Sequence, residues 1–244
     1  MNTVLFDLDG TLLPMEQTAF LRRYLGLLGA KAAAHGLEPQ TMIDALWRGT
    51  SAMANNDGAM SNRQRFWDSF TAELGQDVRA LEPVFNDFYG NEFDAVRDII
   101  KPNPWAREVV DLLQIKGYTL ALATNPLFPP VAIDTRLKWV DLKRDDFAYI
   151  SDYENSRYCK PHPEYFRAVL QEVGKCPQDA LMVGNSLRDD MPARDLGLMV
   201  YLITDFMEGE GEGEIALLPH GSFAEFAAYV RQLPYINKDT ETGR

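Results

Sequence analysis

Hydrophobic and polar positions follow two different repeats along the chain. Short apolar runs bounded by polar residues and glycine occur near the amino terminus and again after Asn103, where they alternate with segments of helical periodicity. This alternation predicts a parallel sheet covered by helices. The predicted strands are Thr3–Leu8, Tyr118–Ala123, Phe147–Ser151, Ala180–Val183 and Leu198–Ile203, and the predicted helices are about 104–116, 130–140, 161–174, 189–196 and 222–232.

A segment with a purely helical pattern separates the first strand from the rest of the sheet. From Glu16 to about Asp98, apolar and aromatic residues recur at helical spacing. Four helices are predicted there, at about 16–34, 39–54, 62–74 and 79–95. The sequence therefore predicts an α/β core formed by residues 1–14 and 103–244, with residues 15–102 inserted as an all-helical domain.

The composition excludes several classes of partner. The 244 residues include 24 basic and 36 acidic side chains, a net charge of −12, so the chain repels nucleic acid and anionic membrane surfaces. Its densest apolar stretch, Leu196–Ile203, is far shorter than the roughly 20 residues that cross a bilayer. The amino terminus does not resemble a signal peptide, and Cys159 and Cys176 have no metal-type spacing. We expect a cytoplasmic protein that binds neither nucleic acid nor membrane; the oligomeric state stays open.

Polar residues suited to catalysis follow the predicted strands. In open parallel sheets, ligands bind at the carboxyl ends of the strands. The carboxylates of Asp7 and Asp9 would share one side of the first strand end, and their repulsion is tolerable where a divalent cation or a lysine neutralises it. Oxygen ligands of this kind suit Mg²⁺. The other residues at strand ends or helix starts are Thr124, Asn125, Lys160, Asn185, Asp189 and Asp190.

Taken alone, each of these residues also fits a turn, a cap or a helix start. Thr and Asn commonly end strands, a proline after Lys160 fits the first turn of a helix, and acidic residues after Asn185 suit a helix dipole. Their coincidence favours a site, because groups of complementary charge follow successive predicted strands. They predict a cation held by Asn185 with Asp189 or Asp190, and Lys160 facing a phosphate.

The same residues resemble the motifs of the haloacid dehalogenase superfamily. Phe6-Asp7-Leu8-Asp9-Gly10-Thr11-Leu12 resembles the first motif, Thr124 the second, Lys160 with its following proline the third, and Gly184–Asp190 the fourth. The resemblance covers about residues 1–205. It implies a Rossmann-like core, a helical cap of the first type that closes over the active site, and a phosphatase-like branch that includes phosphoglycolate phosphatases and nucleotidases.

The resemblance also implies a role for each residue. Asp7 would be the nucleophile that becomes an aspartyl phosphate, and Asp9 would be the general acid and then the general base. Thr124, Asn125 and Lys160 would bind the phosphate of a small phosphorylated metabolite, and Lys160 would keep Asp7 ionised.

A Mg²⁺ cofactor is implied in the same way. Its ligands would be Asp7, the backbone carbonyl of Asp9, Asn185 and Asp190, with Asp189 as the alternative to Asp190. Relatives often have an acidic residue where this chain has Asn185, whose amide oxygen adds no charge, so weaker metal binding is expected.

Three functions stay open at this stage. Dehalogenating relatives carry tyrosine at the position of Asp9, so Asp9 favours phosphoryl chemistry and a Mg²⁺-dependent phosphatase. Phosphomutases keep the second aspartate and are one alternative. A protein that binds a phosphorylated ligand without turning it over is the other, and Asn185 is the residue that suggests it.

The remaining features are interpreted as structural. The acidic stretch Glu208–Glu214 is interpreted as a solvated loop rather than a cation site. Arg48, Arg63 and Arg65 are interpreted as surface residues, with recognition of a second anionic group as the alternative. Packing between helices is the interpretation of the aromatic residues at helical spacing, which are Phe66, Trp67, Phe70, Phe85, Phe88, Tyr89 and Phe93.

Overall fold

The computed structural model describes residues 1–236 and contains a six-stranded parallel sheet. Its strands are β1 (Thr3–Phe6), β2 (Thr119–Leu122), β3 (Tyr149–Ile150), β4 (Ala180–Gly184), β5 (Met199–Ile203) and β6 (His220–Gly221). Their order in the sheet is β3-β2-β1-β4-β5-β6, and every neighbouring pair is parallel. The predicted α/β fold with a Rossmann-like parallel sheet is confirmed.

Helices occupy most of the chain between the strands. The α-helices are α1 (Gln17–Ala34), α2 (Pro39–Ala54), α3 (Asn62–Leu74), α4 (Glu82–Gly90), α5 (Pro104–Ile115), α6 (Pro130–Trp139), α7 (Pro163–Glu172), α8 (Glu212–Ile215) and α9 (Phe223–Gln232). Shorter 3₁₀ helices cover Gln76–Leu81, Glu92–Ile99, Arg144–Asp146, Pro177–Asp179 and Met191–Leu196.

The central strand β1 is buried on both faces, which explains its apolar run over Val4–Phe6. Val4 and Phe6 belong to the buried cluster on one face, where the Phe6 ring meets that of Phe226 in α9 edge to face at 6.0 Å. Leu5 belongs to the cluster on the opposite face, together with Phe166 of α7. The alternation follows from the two-residue period of a strand, and the two clusters hold β1 in the middle of the sheet.

Helices α1 to α4 all lie between β1 and β2 in the chain. Their ends follow local signals: Ser61 and Gln64 form a capping box at the start of α3, and Glu16 accepts backbone N–H groups at the start of α1. The Tyr24 ring of α1 lies 5.7 Å from the ring of Phe128, in the loop after β2. The helical insertion therefore packs over the carboxyl edge of the sheet, while its division from the core at residues 15 and 102 stays a prediction.

Two predicted helices are wrong. The segment 79–95 is not one helix. A 3₁₀ helix runs to Leu81, α4 starts at Glu82 with Pro83 in its first turn, and Asn91, with φ −125° and ψ −84°, leaves helical geometry. Within the segment 189–196, only Met191–Leu196 is helical, as the last of the 3₁₀ helices, and Gly197 with φ +92° follows its end. The strand β6 was not predicted, since two residues are too short to show a period.

Within residues 1–236, no helix combines the length and the apolar character that crossing a membrane requires.

Candidate active site

Asp7 and Asp9 directly follow β1 at the carboxyl edge of the sheet. The backbone N–H of Asp7 donates to the carbonyl of Val183 at 2.8 Å, so Asp7 extends the pairing of β1 with β4. Gly10 then turns the chain with φ +81°, a region that favours glycine. A Cβ atom added to Gly10 would lie 2.2 Å from Nδ2 of Asn185. The turn after β1 is therefore in close contact with the segment after β4.

Lys160 joins two of the predicted carboxylates. Its Nζ lies 2.7 Å from Oδ1 of Asp7 and 2.6 Å from Oδ1 of Asp190, and all three residues are buried. Charges removed from water are tolerable when they neutralise one another. The structure thus brings these three predicted site residues into one cluster.

Burial and the neighbouring charges shift the pKa values of Asp7 and Lys160. Burial raises the pKa of Asp7 to about 7; Lys160 opposes this rise, while Asp190 and Asp9 add to it. Burial alone would lower the pKa of Lys160, but the carboxylates of Asp190 and Asp7 outweigh it and raise that pKa overall. Lys160 is therefore charged at neutral pH, and one lysine does not fully offset the neighbouring carboxylates. A bound cation would offset the rest.

Asn185 is held with its amide oxygen towards Asp7. Its Nδ2 donates to the carbonyl of Phe206 at 2.6 Å. Its Oδ1 accepts from the hydroxyl of Thr11 at 3.3 Å, and that hydroxyl also lies 3.4 Å from Oδ2 of Asp7. The amide of Asn185 therefore presents an oxygen, the atom that a hard cation binds, on the same side as the Asp7 carboxylate.

Asp190 and Asp189 occupy different positions. Asp190 is buried, contacts Lys160, and accepts the backbone N–H of Ser186 at 3.0 Å through its second oxygen. The side chain of Asp189 is 33% exposed and has Arg188 at 4.0 Å. Both line the same cavity, but Asp190 is the one joined to the cluster around Asp7.

Thr124 and Asn125 lie beside this cluster, after β2. The backbone carbonyl of Thr124 accepts from the Ser151 hydroxyl at 2.7 Å and the Tyr165 hydroxyl at 2.8 Å, which fixes the end of the strand. Oδ1 of Asn125 is buried without a hydrogen-bond partner in the described part of the chain. Both residues line the cavity with Asp7, and their binding of a phosphate group stays a prediction.

Arg136 is a site residue that the sequence analysis missed. It is fully buried in α6, forms an ion pair with Asp9, and lies over the ring of Phe128 at 4.4 Å from the centroid. Ala132 and Ile133, one turn earlier on the same face of α6, are buried as well. An arginine on the apolar face of a helix is the signal that would have found it, since arginine is rarely buried without a partner.

The interpretation of Glu208–Glu214 as a solvated loop is wrong for Glu208. Its backbone N–H donates to the carbonyl of Asn185 at 2.9 Å, and its carbonyl accepts from Leu187 at 3.0 Å. The half-buried side chain lines the cavity, and burial raises its pKa, with Asp189 as the first of the carboxylates that add to the rise. Glu208 therefore adds a carboxylate to the rim of the site.

The charged cluster forms one end of a cavity of about 260 Å³. The rest of the cavity is lined by α1 to α4 and by the loop after β2. The packing interpretation of the aromatic residues is correct for Phe88 and Phe93, which are fully buried. It is incomplete for those that also line the cavity, which are Phe66, Trp67, Phe70, Phe85 and Tyr89.

The three arginines considered for a second anionic group lie outside this cavity. Each forms an ion pair elsewhere: Arg48 with Glu73, Arg63 with Glu82, and Arg65 with Asp57. Their surface interpretation fits the structure.

The oxygen atoms around Asp7 fit a Mg²⁺ site in which only one or two carboxylates serve as ligands. Within residues 1–236, no three His, Cys, Asp or Glu side chains converge enough to hold a metal by themselves. Mg²⁺ commonly takes one or two carboxylates and completes its shell with water and substrate oxygens. Asp7 and Asp190 supply two carboxylates, and Asn185 supplies an amide oxygen. Oδ1 of Asp9 is also buried without a partner among the described residues, so the site contains a further oxygen atom that no hydrogen bond occupies.

Gly184, the last residue of β4, has no side chain, and Asp190 occupies the space where a side chain would lie. A Cβ atom there would lie 2.2 Å from both Cγ and Oδ2 of Asp190. We expect Gly184→Ala to displace Asp190 from Lys160 and to lower the free energy of unfolding by about 1–3 kcal/mol in urea denaturation. Gly26→Ala in α1 is the control, because a Cβ atom there meets nothing within 4 Å. Equal stability of the two variants would contradict this account of Gly184.

Comparisons with known proteins agree with this architecture. The family model of the haloacid dehalogenase-like hydrolases matches residues 1–197. Pyrophosphatase PpaX of Bacillus pumilus is 24% identical over 217 residues, 86% of each chain, and phosphoglycolate phosphatase of Shigella dysenteriae is 26% identical over 205 residues, 80% of this chain and 77% of the relative. The crystal structure of a HAD phosphatase from Thermococcus onnurineus matches with a TM-score of 0.63 at 19% identity, over 97% of this chain and 100% of the other. This last likeness shows the fold alone.

Proposed function

Because the chain belongs to the haloacid dehalogenase-like hydrolase family, we propose that it is a Mg²⁺-dependent phosphatase that hydrolyses a small phosphate monoester through an aspartyl phosphate on Asp7. The observation that carries this proposal is the cluster of Asp7, Lys160 and Asp190 at the carboxyl edge of the sheet. A carboxylate in that cluster, facing a cavity and next to a second carboxylate, is equipped for nucleophilic attack followed by hydrolysis.

Asp7 and Asp9 divide the chemistry between them. An oxygen of Asp7 attacks phosphorus, a bond from Asp7 to phosphorus forms, and the bond from phosphorus to the ester oxygen breaks. Asp9 gives its proton to the departing alcohol. Asp9 then takes a proton from water, whose oxygen forms a bond to phosphorus while the bond from phosphorus to Asp7 breaks, so that inorganic phosphate leaves and the Asp7 carboxylate is restored.

Arg136 positions Asp9 for both steps. Its guanidinium binds one oxygen of Asp9, while the other oxygen of Asp9 has no hydrogen-bond partner in the described structure. The free oxygen is therefore the one that exchanges a proton with the leaving group or with water. Thr124 and Asn125 bind phosphate oxygens from one side, and Lys160 offsets their charge from the other.

Asp7, the backbone carbonyl of Asp9, Asn185 and Asp190 would hold the Mg²⁺. When bound, this ion offsets the repulsion between an anionic nucleophile and an anionic phosphate. The helical insertion, residues 15–102, acts as the cap that keeps bulk water from the site. The two cysteines are free thiols, which suits a cytoplasmic location.

Release of inorganic phosphate tests the proposal. Phosphate monoesters are supplied with Mg²⁺ and with a chelator, and we expect release in the first case alone. Release without Mg²⁺ would contradict the metal requirement. Isomerised ester without free phosphate would identify a phosphomutase, and binding without turnover of any ester would identify a binding protein.

Asn185 should limit the affinity for Mg²⁺. Replacing it with aspartate adds a negative charge to the site, but it also sets an oxygen against the carbonyl of Phe206, where the amide now donates a hydrogen bond. We expect Asn185→Asp to lower the free energy of unfolding without metal by about 1–3 kcal/mol and to require less Mg²⁺ for half-maximal stabilisation. Thermal unfolding across a Mg²⁺ titration measures both, and an unchanged Mg²⁺ requirement would contradict Asn185 as a ligand.

A further inference from the structure

The cavity next to the carboxylate cluster has two chemically different ends. Asp7, Lys160 and Asp190 form the charged end. The opposite end is enclosed by aliphatic and aromatic side chains from the helical insertion and from the loop after β2. Among them are Phe20, Leu25, Leu46, Phe66 and Phe85, while Phe128 continues the apolar surface towards the charged end, where Arg136 lies over its ring. A phosphate bound beside Lys160 would therefore direct the rest of its ester into apolar surroundings.

The aromatic rings that line the apolar end of the cavity, here called the aromatic wall, hold one another in place. Phe66 stacks on Phe70 with centroids 5.1 Å apart, and Trp67 meets Phe70 edge to face at 5.6 Å. Phe85 of α4 packs against Phe70 at 6.2 Å. Because these rings of α3 and α4 pack against one another, they form a preformed surface, and preformed apolar surfaces suit apolar ligands.

In the described part of the chain, the cavity offers no second cation to another anionic group, and its few polar lining groups on the insertion, such as Gln17, Thr50 and Asn86, are uncharged apart from Glu82. Lys160 is the only basic residue among the described residues that line it. Of the lining residues within 1–236, Glu82 is the only charged residue of the insertion; it is negative and is already paired with Arg63 at 2.6 Å and Arg79 at 3.7 Å, which are not lining residues. A carboxylate or second phosphate in this cavity would lose its water without gaining a cationic partner.

We propose that the substrate is the phosphate monoester of an apolar alcohol, aromatic or branched alkyl, whose hydrocarbon part binds against Phe66, Phe85 and Phe128. The inference rests on the proposed phosphatase function. A cavity of roughly 150 Å³ suffices for benzene, so about 260 Å³ has room for a leaving group of that size together with the phosphate.

A series of esters of primary alcohols tests the proposal, because their intrinsic reactivities are similar. The apolar members are 2-phenylethyl phosphate and 3-methylbutyl phosphate, and the polar members are glycerol 3-phosphate and phosphoglycolate. Each buried CH₂ group contributes about fourfold, so we expect kcat/KM to be at least about 100-fold higher for the apolar esters. Equal values, or a preference for the polar esters, would overturn the inference while leaving the phosphatase function intact.

Variants of the apolar end of the cavity separate recognition from a general loss of folding. We expect Phe66→Ser to reduce the ratio of kcat/KM for 2-phenylethyl phosphate over glycerol 3-phosphate by about tenfold or more. Leu46→Asn, on α2, should do the same if Phe66→Ser is poorly folded. Ile115→Ser is the matched control, since Ile115 is 68% exposed and outside the cavity. An unchanged ratio in both Phe66→Ser and Leu46→Asn would overturn the inference.

Binding of a non-hydrolysable analogue covers the case in which no ester is turned over. Absence of turnover would contradict the proposed function. Calorimetry with 3-phenylpropylphosphonate and 3-hydroxypropylphosphonate would then test the apolar preference of the cavity independently of catalysis. We expect the phenyl compound to bind at least tenfold more tightly. Equal binding, or no binding of either compound, would overturn the apolar assignment.

Discussion

The Asp7→Asn variant is expected to lose at least about 10⁴ in kcat while remaining folded. An amide in place of the carboxylate has no anionic oxygen with which to attack phosphorus, and no other carboxylate lies in the same position relative to Lys160 and the turn at Gly10. Initial rates of phosphate release, measured with Mg²⁺ and the best ester of the series, give the result. A residual rate above one hundredth of the original would contradict Asp7 as the nucleophile.

The stability of this variant distinguishes chemistry from folding. The pKa of Asp7 is raised from 3.8 to about 7, so the ionised carboxylate favours the folded state less than the neutral one does. The stability linked to this group is full below pH 3.8 and is lost as the pH rises towards 7. A neutral amide avoids that loss, and we expect Asp7→Asn to be at least as stable as the parent at pH 8 without Mg²⁺. Asp145→Asn, at an exposed position, is the control and should keep full activity.

The sequence predicted most of the fold because the sheet is buried on both faces. Strands β1 and β4 are buried at every position and apolar over Val4–Phe6 and Ala180–Val183, and glycine and polar residues mark their ends. The helix ends at Ser61 and Pro39 also follow local signals. The broken helix at 79–95 was not predictable from periodicity, since Pro83 is compatible with the first turn of a new helix as well as with a kink. The strand β6 exists only through its pairing with β5.

The candidate site was predictable where its residues follow strands, and not where they come from elsewhere. Asp7 and Thr124 directly follow strands, so the topology brings them together. Arg136 lies in the middle of a helix, and only the packing of α6 against the turn after β1 brings it to Asp9. Glu208 reaches the site through backbone pairing with the segment after β4, a long-range contact that an acidic stretch does not indicate.

The aromatic residues of the insertion are a second case in which the sequence predicted burial but not the contribution to the site. Helical spacing predicts which face of α3 is apolar, but it does not distinguish a face that packs from one that lines a cavity. Phe70 does both, because it is buried against Trp67 and Phe85 and still borders the cavity. The distinction depends on how far apart the four helices are held, which is a property of the whole insertion.

Lys160→Met is expected to reduce both activity and stability, because Lys160 separates two buried carboxylates. Removing one member of a buried, paired set of charges typically costs about 3–5 kcal/mol, since the remaining charges stay buried without a partner. Asp7 and Asp190 would be left facing each other at the positions where they now contact one ammonium group. We also expect kcat to fall by about 10²–10³, the usual effect of losing one group that stabilises charge in the transition state. Urea denaturation without Mg²⁺ and rates of phosphate release measure the two effects.

Mg²⁺ should restore part of the lost stability and little of the lost activity. A divalent cation between Asp7 and Asp190 offsets their repulsion, as Lys160 does in the parent, but it does not replace the ammonium group on the phosphate side. Lys138→Met, at an exposed position in the last turn of α6, is the control and should change stability by less than about 0.5 kcal/mol. If Lys160→Met were as stable as this control, the carboxylates would not depend on Lys160 for neutralisation; if it kept its full kcat, Lys160 would serve the fold alone.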